Sequence, residues 1–196
     1  MYLVNLETKD KTLILGNLAE PSVNSGLAFD ATNTGVFFTT DTFAEFNQLA
    51  HKNLVTGEVT IISQDINWDV DGFAISSDGK RAAFKVNENG FSALYLLNTQ
   101  TLQYRQVEDL PMGLVGGMQF NEAGSQLGLS LNTYQSPSDT YTLALSRNPL
   151  RHKDLVRWTQ SEVGGLDTST FVEPQLITYP TSVSYTHLTL PTSFLV

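Results

Sequence analysis

Cysteine is absent from the 196-residue chain, which excludes disulfides and thiolate metal sites and leaves reducing and oxidising compartments equally open. Basic residues are scarce, 11 against 20 acids, for a net charge of -9. Such a field repels a phosphate backbone, so no nucleic-acid partner is expected. No apolar run approaches the roughly 20 residues of a membrane-crossing helix, and the N-terminus lacks the basic and apolar regions of a leader peptide. No membrane partner is expected, and a soluble chain of this composition fits cytoplasm or periplasm. Long polar runs are missing too, and 41% hydrophobic residues are ample for a core.

What is present is a repeat. Gly26-Leu-Ala-Phe-Asp-Ala-Thr-Asn-Thr-Gly-Val-Phe-Phe38, Gly72-Phe-Ala-Ile-Ser-Ser-Asp-Gly-Lys-Arg-Ala-Ala-Phe84 and Gly117-Met-Gln-Phe-Asn-Glu-Ala-Gly-Ser-Gln-Leu-Gly-Leu129 share one template, with starts 46 and 45 residues apart. Apolar residues fall two apart on both sides of a polar centre: Leu27 and Phe29, then Val36 and Phe38; Phe73 and Ile75, then Ala82 and Phe84; Met118 and Phe120, then Leu127 and Leu129. Side chains alternate across a strand, so this parity places large apolar groups on one face of a hairpin. The centres Thr32-Asn33, Asp78-Gly79 and Ala123-Gly124 supply residues suited to positive φ.

A second hairpin signature runs out of phase with the first. Asn5-Leu-Glu-Thr8, Asn53-Leu-Val-Thr56 and Asn98-Thr-Gln-Thr101 recur 48 and 45 residues apart. Apolar runs at 2–4 and 94–97 lead in, and runs at 12–15, 59–62 and 104–107 lead out, with Gly57-Glu58 marking one turn. Two hairpins per period make a four-stranded antiparallel blade, and a period of about 40 to 50 residues is that of a β-propeller. A β-sandwich or barrel also has many short strands but has no reason for a fixed spelling. The expected fold is all-β: a partial propeller of about four consecutive four-stranded blades, the first and last incomplete or irregular. The hairpins fall near 2–15, 26–62, 72–107 and 117–158, inside a propeller unit spanning 1–175.

The two ends carry their own expectations. Met1 opens directly into the second hairpin of a blade, which leads us to expect a fragment. Val183-Ser-Tyr-Thr-His-Leu-Thr-Leu-Pro-Thr192 matches, residue for residue, one reading frame of a transposase adaptor used in DNA sequencing libraries. Residues 182–196 are accordingly expected to be an artefactual tail, and His187 is set aside with them. The alternative for 185–190 is an exposed strand.

Chemistry-bearing constellations are sparse. Gly-x-Ser-x-Gly does not occur; Gly90-Phe-Ser92-Ala-Leu94 lacks its last glycine and enters a hairpin. His51 and His152 have no partner at metal-binding spacing, and each reads as structural. Asn67-Trp-Asp69-Val-Asp71-Gly72 with Asp78 places oxygens at calcium-loop spacing. It lacks a leading Asp, a closing bidentate Glu and flanking helices, and reads better as an acidic inter-strand loop. Gly113-Leu-Val-Gly116-Gly117 has no following Lys and Ser or Thr for a phosphate cradle, and reads as a flexible loop. The acidic pairs Glu108-Asp109 and Asp69 with Asp71 have the charge to orient a cation, though solvated loop charges are the commoner case. No catalytic, cofactor-binding or metal-ligating residue is assigned, and no cofactor is expected.

Asp71-Gly-Phe-Ala-Ile-Ser-Ser-Asp-Gly-Lys-Arg-Ala-Ala-Phe84 resembles the blade motif common to TolB-like propellers and the prolyl oligopeptidase family of serine peptidases. Trp158-Thr-Gln-Ser-Glu-Val-Gly-Gly-Leu166 and Phe171-Val-Glu-Pro174-Gln-Leu-Ile-Thr-Tyr-Pro180 resemble the latter family where its last blade closes and the chain passes to the catalytic domain. The resemblance covers about residues 1–181. It implies a propeller that gates peptide access to an α/β-hydrolase domain of the same parent chain, with 176–181 starting the linker or first strand of that domain. The family's Ser, Asp and His belong to the domain beyond Thr181, so none maps onto this sequence, and the chain itself is expected to be inactive. About four partial blades fall short of the about seven or eight of that family's ring. Terminal blades with an uncovered face and edge would make the chain prone to self-association. The alternative is a stand-alone or TolB-like propeller acting as a protein-binding scaffold.

Overall fold

A computed structural model describes residues 1–175 apart from Leu18 and Glu20. The expected linker at 176–181 and tail at 182–196 lie outside the described residues. Fourteen strands follow in order: β1 (Tyr2–Val4), β2 (Lys11–Leu13), β3 (Asn24–Phe29), β4 (Gly35–Thr40), β5 (Gln48–Asn53), β6 (Val59–Ile61), β7 (Val70–Ile75), β8 (Arg81–Glu88), β9 (Phe91–Asn98), β10 (Tyr104–Gln106), β11 (Gly113–Phe120), β12 (Gln126–Thr133), β13 (Ser136–Leu145) and β14 (His152–Arg157). They form one two-stranded sheet, β1-β2, and three four-stranded sheets, β3-β4-β5-β6, β7-β8-β9-β10 and β11-β12-β13-β14. Every pairing is antiparallel between strands adjacent in sequence. A short 3-10 turn, Thr168–Thr170, is the one helical element among the described residues. This is the all-β array of small sheets that the repeat predicts.

The first hairpin of each four-stranded sheet closes through one device. Asn33, Gly79 and Gly124 donate backbone N–H groups to the carbonyls of Asp30, Ser76 and Asn121 at 2.8–3.1 Å, and their φ angles are +55°, +66° and +62°. A left-handed residue in this place twists the turn to match the flanking strands, which is why Asn and Gly occupy it. The tips also nest sheet on sheet. A Cβ on Gly79 would stand 2.8 Å from the Cα of Ala31 in the preceding tip.

The second hairpin is built on the Asn-x-x-Thr spelling. Asn5, Asn53 and Asn98 each accept, through Oδ1, the N–H groups two and three residues on, at 2.8–3.2 Å. The closing Thr8, Thr56 and Thr101 accept from the N–H two residues later at 3.3–3.4 Å. The residue between is left-handed each time: Lys9, Gly57 and Leu102. Side-chain oxygens thus stand in for absent backbone partners at the tip. The last sheet departs from this pattern and turns through Ser146, Asn148 and Arg151 instead.

The core lies between the sheets. Phe37 and Leu49 of β3-β6 pack with Ala82, Phe84, Val86 and Leu97 of β7-β10, while Ala83, Leu94 and Leu96 on the other face of β7-β10 meet Leu127, Leu129, Leu131 and Leu143. Strand β8 therefore has buried residues on both its faces. Each large apolar side chain so buried contributes about 1.5–3 kcal/mol. At the first four-stranded sheet the apolar face is only partly covered: Leu27 and Phe29 are 38% and 49% exposed. The preceding sheet offers two strands rather than four; the pairing shift between Gly26 and Ala28 is not the cause, since Phe29 stays opposite Val36 and equivalent shifts precede the packed Phe73 and Met118.

Candidate functional site

The residues singled out in the sequence scatter over the array, and most have a partner of their own. Ser92 Oγ accepts the N–H of Val115 at 2.9 Å, tying β9 to the first strand of the next sheet. Its oxygen is a strut between sheets. His152 turns Nδ1 onto its neighbour's carbonyl, Lys153 O, at 2.9 Å. In the calcium-spaced stretch, Asp69 accepts from Asn47 N at 2.7 Å, Asp71 pairs with Lys85 at 3.1 Å, and Asp78 accepts from Ser76 Oγ at 2.7 Å. Strand β7 already contains Asp71, so these carboxylates do not converge.

The reading of Gly113, Gly116 and Gly117 as a flexible loop is overturned: all three lie within β11. The pairing with β12 shifts between Val115 and Met118, where Gly116 and Gly117 form a bulge. A Cβ on Gly113 would overlap the carbonyl of Asn132, and one on Gly116 the hydroxyl of Ser130. Close approach of strand to strand, not mobility, accounts for Gly113 and Gly116, while a Cβ on Gly117 would meet nothing and that residue belongs to the bulge alone.

His51 lies on Phe37, ring centroids 4.9 Å apart, with Nε2 at 3.1 Å from Asp30 Oδ2. Burial opposes ionisation of Asp30, but the Thr32 hydroxyl, His51 and the N–H groups of Thr32 and Thr34 outweigh it and hold the carboxyl below its usual range. The arrangement is a His–carboxylate pair. Among the described residues no hydroxyl bonds to the other ring nitrogen, so the pair has no nucleophile to activate.

Sequence reasoning missed Asp139 altogether, and its side chain is the most heavily bonded among the described residues. Oδ2 accepts from the hydroxyl of Ser136 and from Arg157 Nη2. Oδ1 accepts from Thr159 Oγ1 at 2.8 Å, Ser161 N at 2.8 Å and Ser161 Oγ at 3.1 Å. The Ser136 hydroxyl first, then Thr159, Ser161 and Arg157, overcome burial and keep the carboxyl ionised far below its ordinary range. Five donors around one buried carboxylate fasten residues 157–161 to β13. Trp158 adds an N–H bond to Thr142 Oγ1 at 2.9 Å. No local spacing signals this hub, because its members join only once β13 and β14 have paired.

A concave site lies on β7-β10 and the strap that leaves it toward β11. The β8–β9 turn and the strap of residues 107–112 enclose a groove of about 530 Å³. Phe91, Leu94, Leu110 and Met112 form its apolar wall, and Glu88, Glu108 and Asp109 line it without any Lys, Arg or His. The Glu108-Asp109 pair noted in the sequence is part of this lining. Beyond the strap a second cavity of about 480 Å³ brings His152, Lys153 and Arg157 beside Asp154 and the same Glu108 and Asp109. Among the described residues, no group of three His, Asp or Glu side chains is placed to hold a metal ion.

No protein-family model and no curated protein matches this chain. Solved structures do. The chain is similar to TolB from Acinetobacter baumannii, with a TM-score of 0.58 at 15% identity, over 80% of this chain and 36% of that one. It is also similar to a structure from an analysis of two prolyl endopeptidases and the role of their inter-domain dynamics in catalysis and specificity, with a TM-score of 0.67 at 13% identity. That match covers 86% of this chain and 24% of the other. The array is therefore a TolB-like, propeller-type domain of the kind also found in prolyl endopeptidases, and it spans well under half the length of either neighbour.

Proposed function

We propose that this chain is the propeller portion of a prolyl-oligopeptidase-like serine peptidase, and that it gates the access of peptides to an α/β-hydrolase domain of the same parent protein. The observation that carries this reading is the conjunction of two independent signals. The backbone is similar to a prolyl endopeptidase over 86% of the chain, and the spelling of residues 158–180 resembles that family's passage from propeller to catalytic domain. In such a parent the chemistry is acyl transfer to a Ser activated by His and Asp. The propeller contributes exclusion: large folded substrates are turned away and short peptides admitted.

A second reading, a TolB-like propeller that serves as a protein-binding scaffold, is supported by the similarity to TolB over 80% of the chain. The reading frame downstream of Thr181 in the source genome separates the two. An open frame with Gly-x-Ser-x-Gly, then Asp, then His is expected for the peptidase; a stop codon or a further blade overturns it. The isolated chain should release no product from peptide or ester substrates, and turnover abolished by Ser92→Ala would overturn the assignment of Ser92 as a strut.

A further inference from the structure

We infer that the groove between the β8–β9 turn and the 107–112 strap binds a peptide segment in which a Lys or Arg stands beside an apolar side chain. The volume of about 530 Å³ falls within the range of about 300–1,000 Å³ typical of ligand sites. The floor is preformed. Val107 N donates to Leu94 O at 2.8 Å, and Val115 N donates to Ser92 Oγ at 2.9 Å, so both sides of the groove are tied to the sheets that form it. Preorganisation of this kind lowers the cost of binding.

The chemistry of the lining selects the occupant. Phe91, Leu110 and Met112 offer apolar contact, and Met112 is 44% exposed, an adaptable thioether surface with nothing over it. Of the three acids, Glu108 is engaged by Arg105 at 3.2 Å. Glu88 and Asp109 have no hydrogen-bond or ion-pair partner among the described residues, and they leave uncompensated negative charge beside an apolar wall. An anionic or purely apolar ligand would meet that charge unfavourably, while a cationic head on an apolar stem complements both parts. A metal ion does not suit the site, since no triad of ligands converges there. Glu108 and Asp109 also border the neighbouring cavity with Lys153 and Arg157, but neither base pairs with them, and Glu88 lines only the groove. The groove belongs to the sheets themselves, and its binding stands or falls separately from the peptidase reading.

The test uses the whole chain, isotopically labelled, titrated with acetyl-Leu-Arg-amide, with acetyl-Leu-citrulline-amide as the neutral isostere and acetyl-Leu-Glu-amide as the charge reversal. Saturable amide shifts confined to residues 88–93 and 106–112 are expected for the Arg probe. Binding should weaken by about fivefold for the citrulline probe and by a similar factor in the Glu88→Gln, Asp109→Asn double variant, as two exposed ion pairs imply. Raising salt should bring the Arg and citrulline probes together. Both substituted side chains are exposed, and an unchanged spectrum elsewhere confirms that the variant folds. Equal affinity for the Arg and citrulline probes, shifts located outside the groove, or no saturable shift would each overturn the proposal.

Discussion

His51 Nε2 and Asp30 Oδ2 meet at 3.1 Å because the residue between them has no side chain: a Cβ on Gly35 would overlap both. Gly35→Ala should therefore break the pair and push the imidazole off Phe37, costing about 1–3 kcal/mol by overpacking. Urea unfolding measures the loss, and loss of the His51–Phe37 ring-current shift in NMR reports the displacement. A variant as stable as the parent with that shift intact would contradict this account.

Asp139 makes the last sheet sensitive to acid. Its folded pKa lies below the unfolded value near 4, so between the two values the unfolded chain binds more protons and stability rises with pH. The contribution is complete above about pH 4 and is lost as pH falls through the folded value. Asp139→Asn should flatten that part of the acid limb and speed hydrogen exchange at Ser161 N–H, whose acceptor is the carboxylate. An unchanged exchange rate at Ser161 would show that the segment is held by other contacts.

The nested tips give a graded pair of variants. Gly79→Ala adds a methyl 2.8 Å from the backbone of Ala31, whereas Gly124→Ala meets nothing nearer than 3.4 Å. Both take on the left-handed penalty of about 1–2 kcal/mol, and only the first must also separate two sheets. Thermal unfolding should find Gly79→Ala the less stable by about 1–3 kcal/mol; equal midpoints would remove the nesting from the explanation.

Asn98 offers a test of the second hairpin. Asn98→Ala leaves the N–H groups of Gln100 and Thr101 without their acceptor and should cost about 1–2 kcal/mol, while Asn98→Asp keeps the oxygen and most of the stability. If Asp rescued nothing, the side-chain oxygen would not be what fixes the turn.

Most of the fold was legible because its determinants are local. Asn33, Gly79, Gly124 and the Asn-x-x-Thr tips do within a few residues what the spelling implies, and a constant period carries them from sheet to sheet. The exposure of Leu27 and Phe29 was hidden, since parity sets which face of a strand is apolar and not how many strands the neighbouring sheet brings to cover it. Gly113 to Gly117 were misread because glycine permits both a loose loop and a tight crossing, and only the neighbouring strand distinguishes them. The Asp139 hub, the His51–Asp30 pair and the Ser92 strut join residues about 20 apart through strand pairing, so no motif encodes them. The groove was visible only as Glu108-Asp109; its apolar half arrives from Phe91 and Leu94 once β10 pairs with β9 and lays the strap beside them.

The position of β8, with buried residues facing a full sheet on either side, sets how the molecule comes apart. Stacks of this kind are held by nearest neighbours, so opening should begin at the outermost members and advance toward the middle. Backbone amides of 82–86 would then be the last to trade their hydrogens with solvent, and damage to that one strand would loosen both of its neighbours at once.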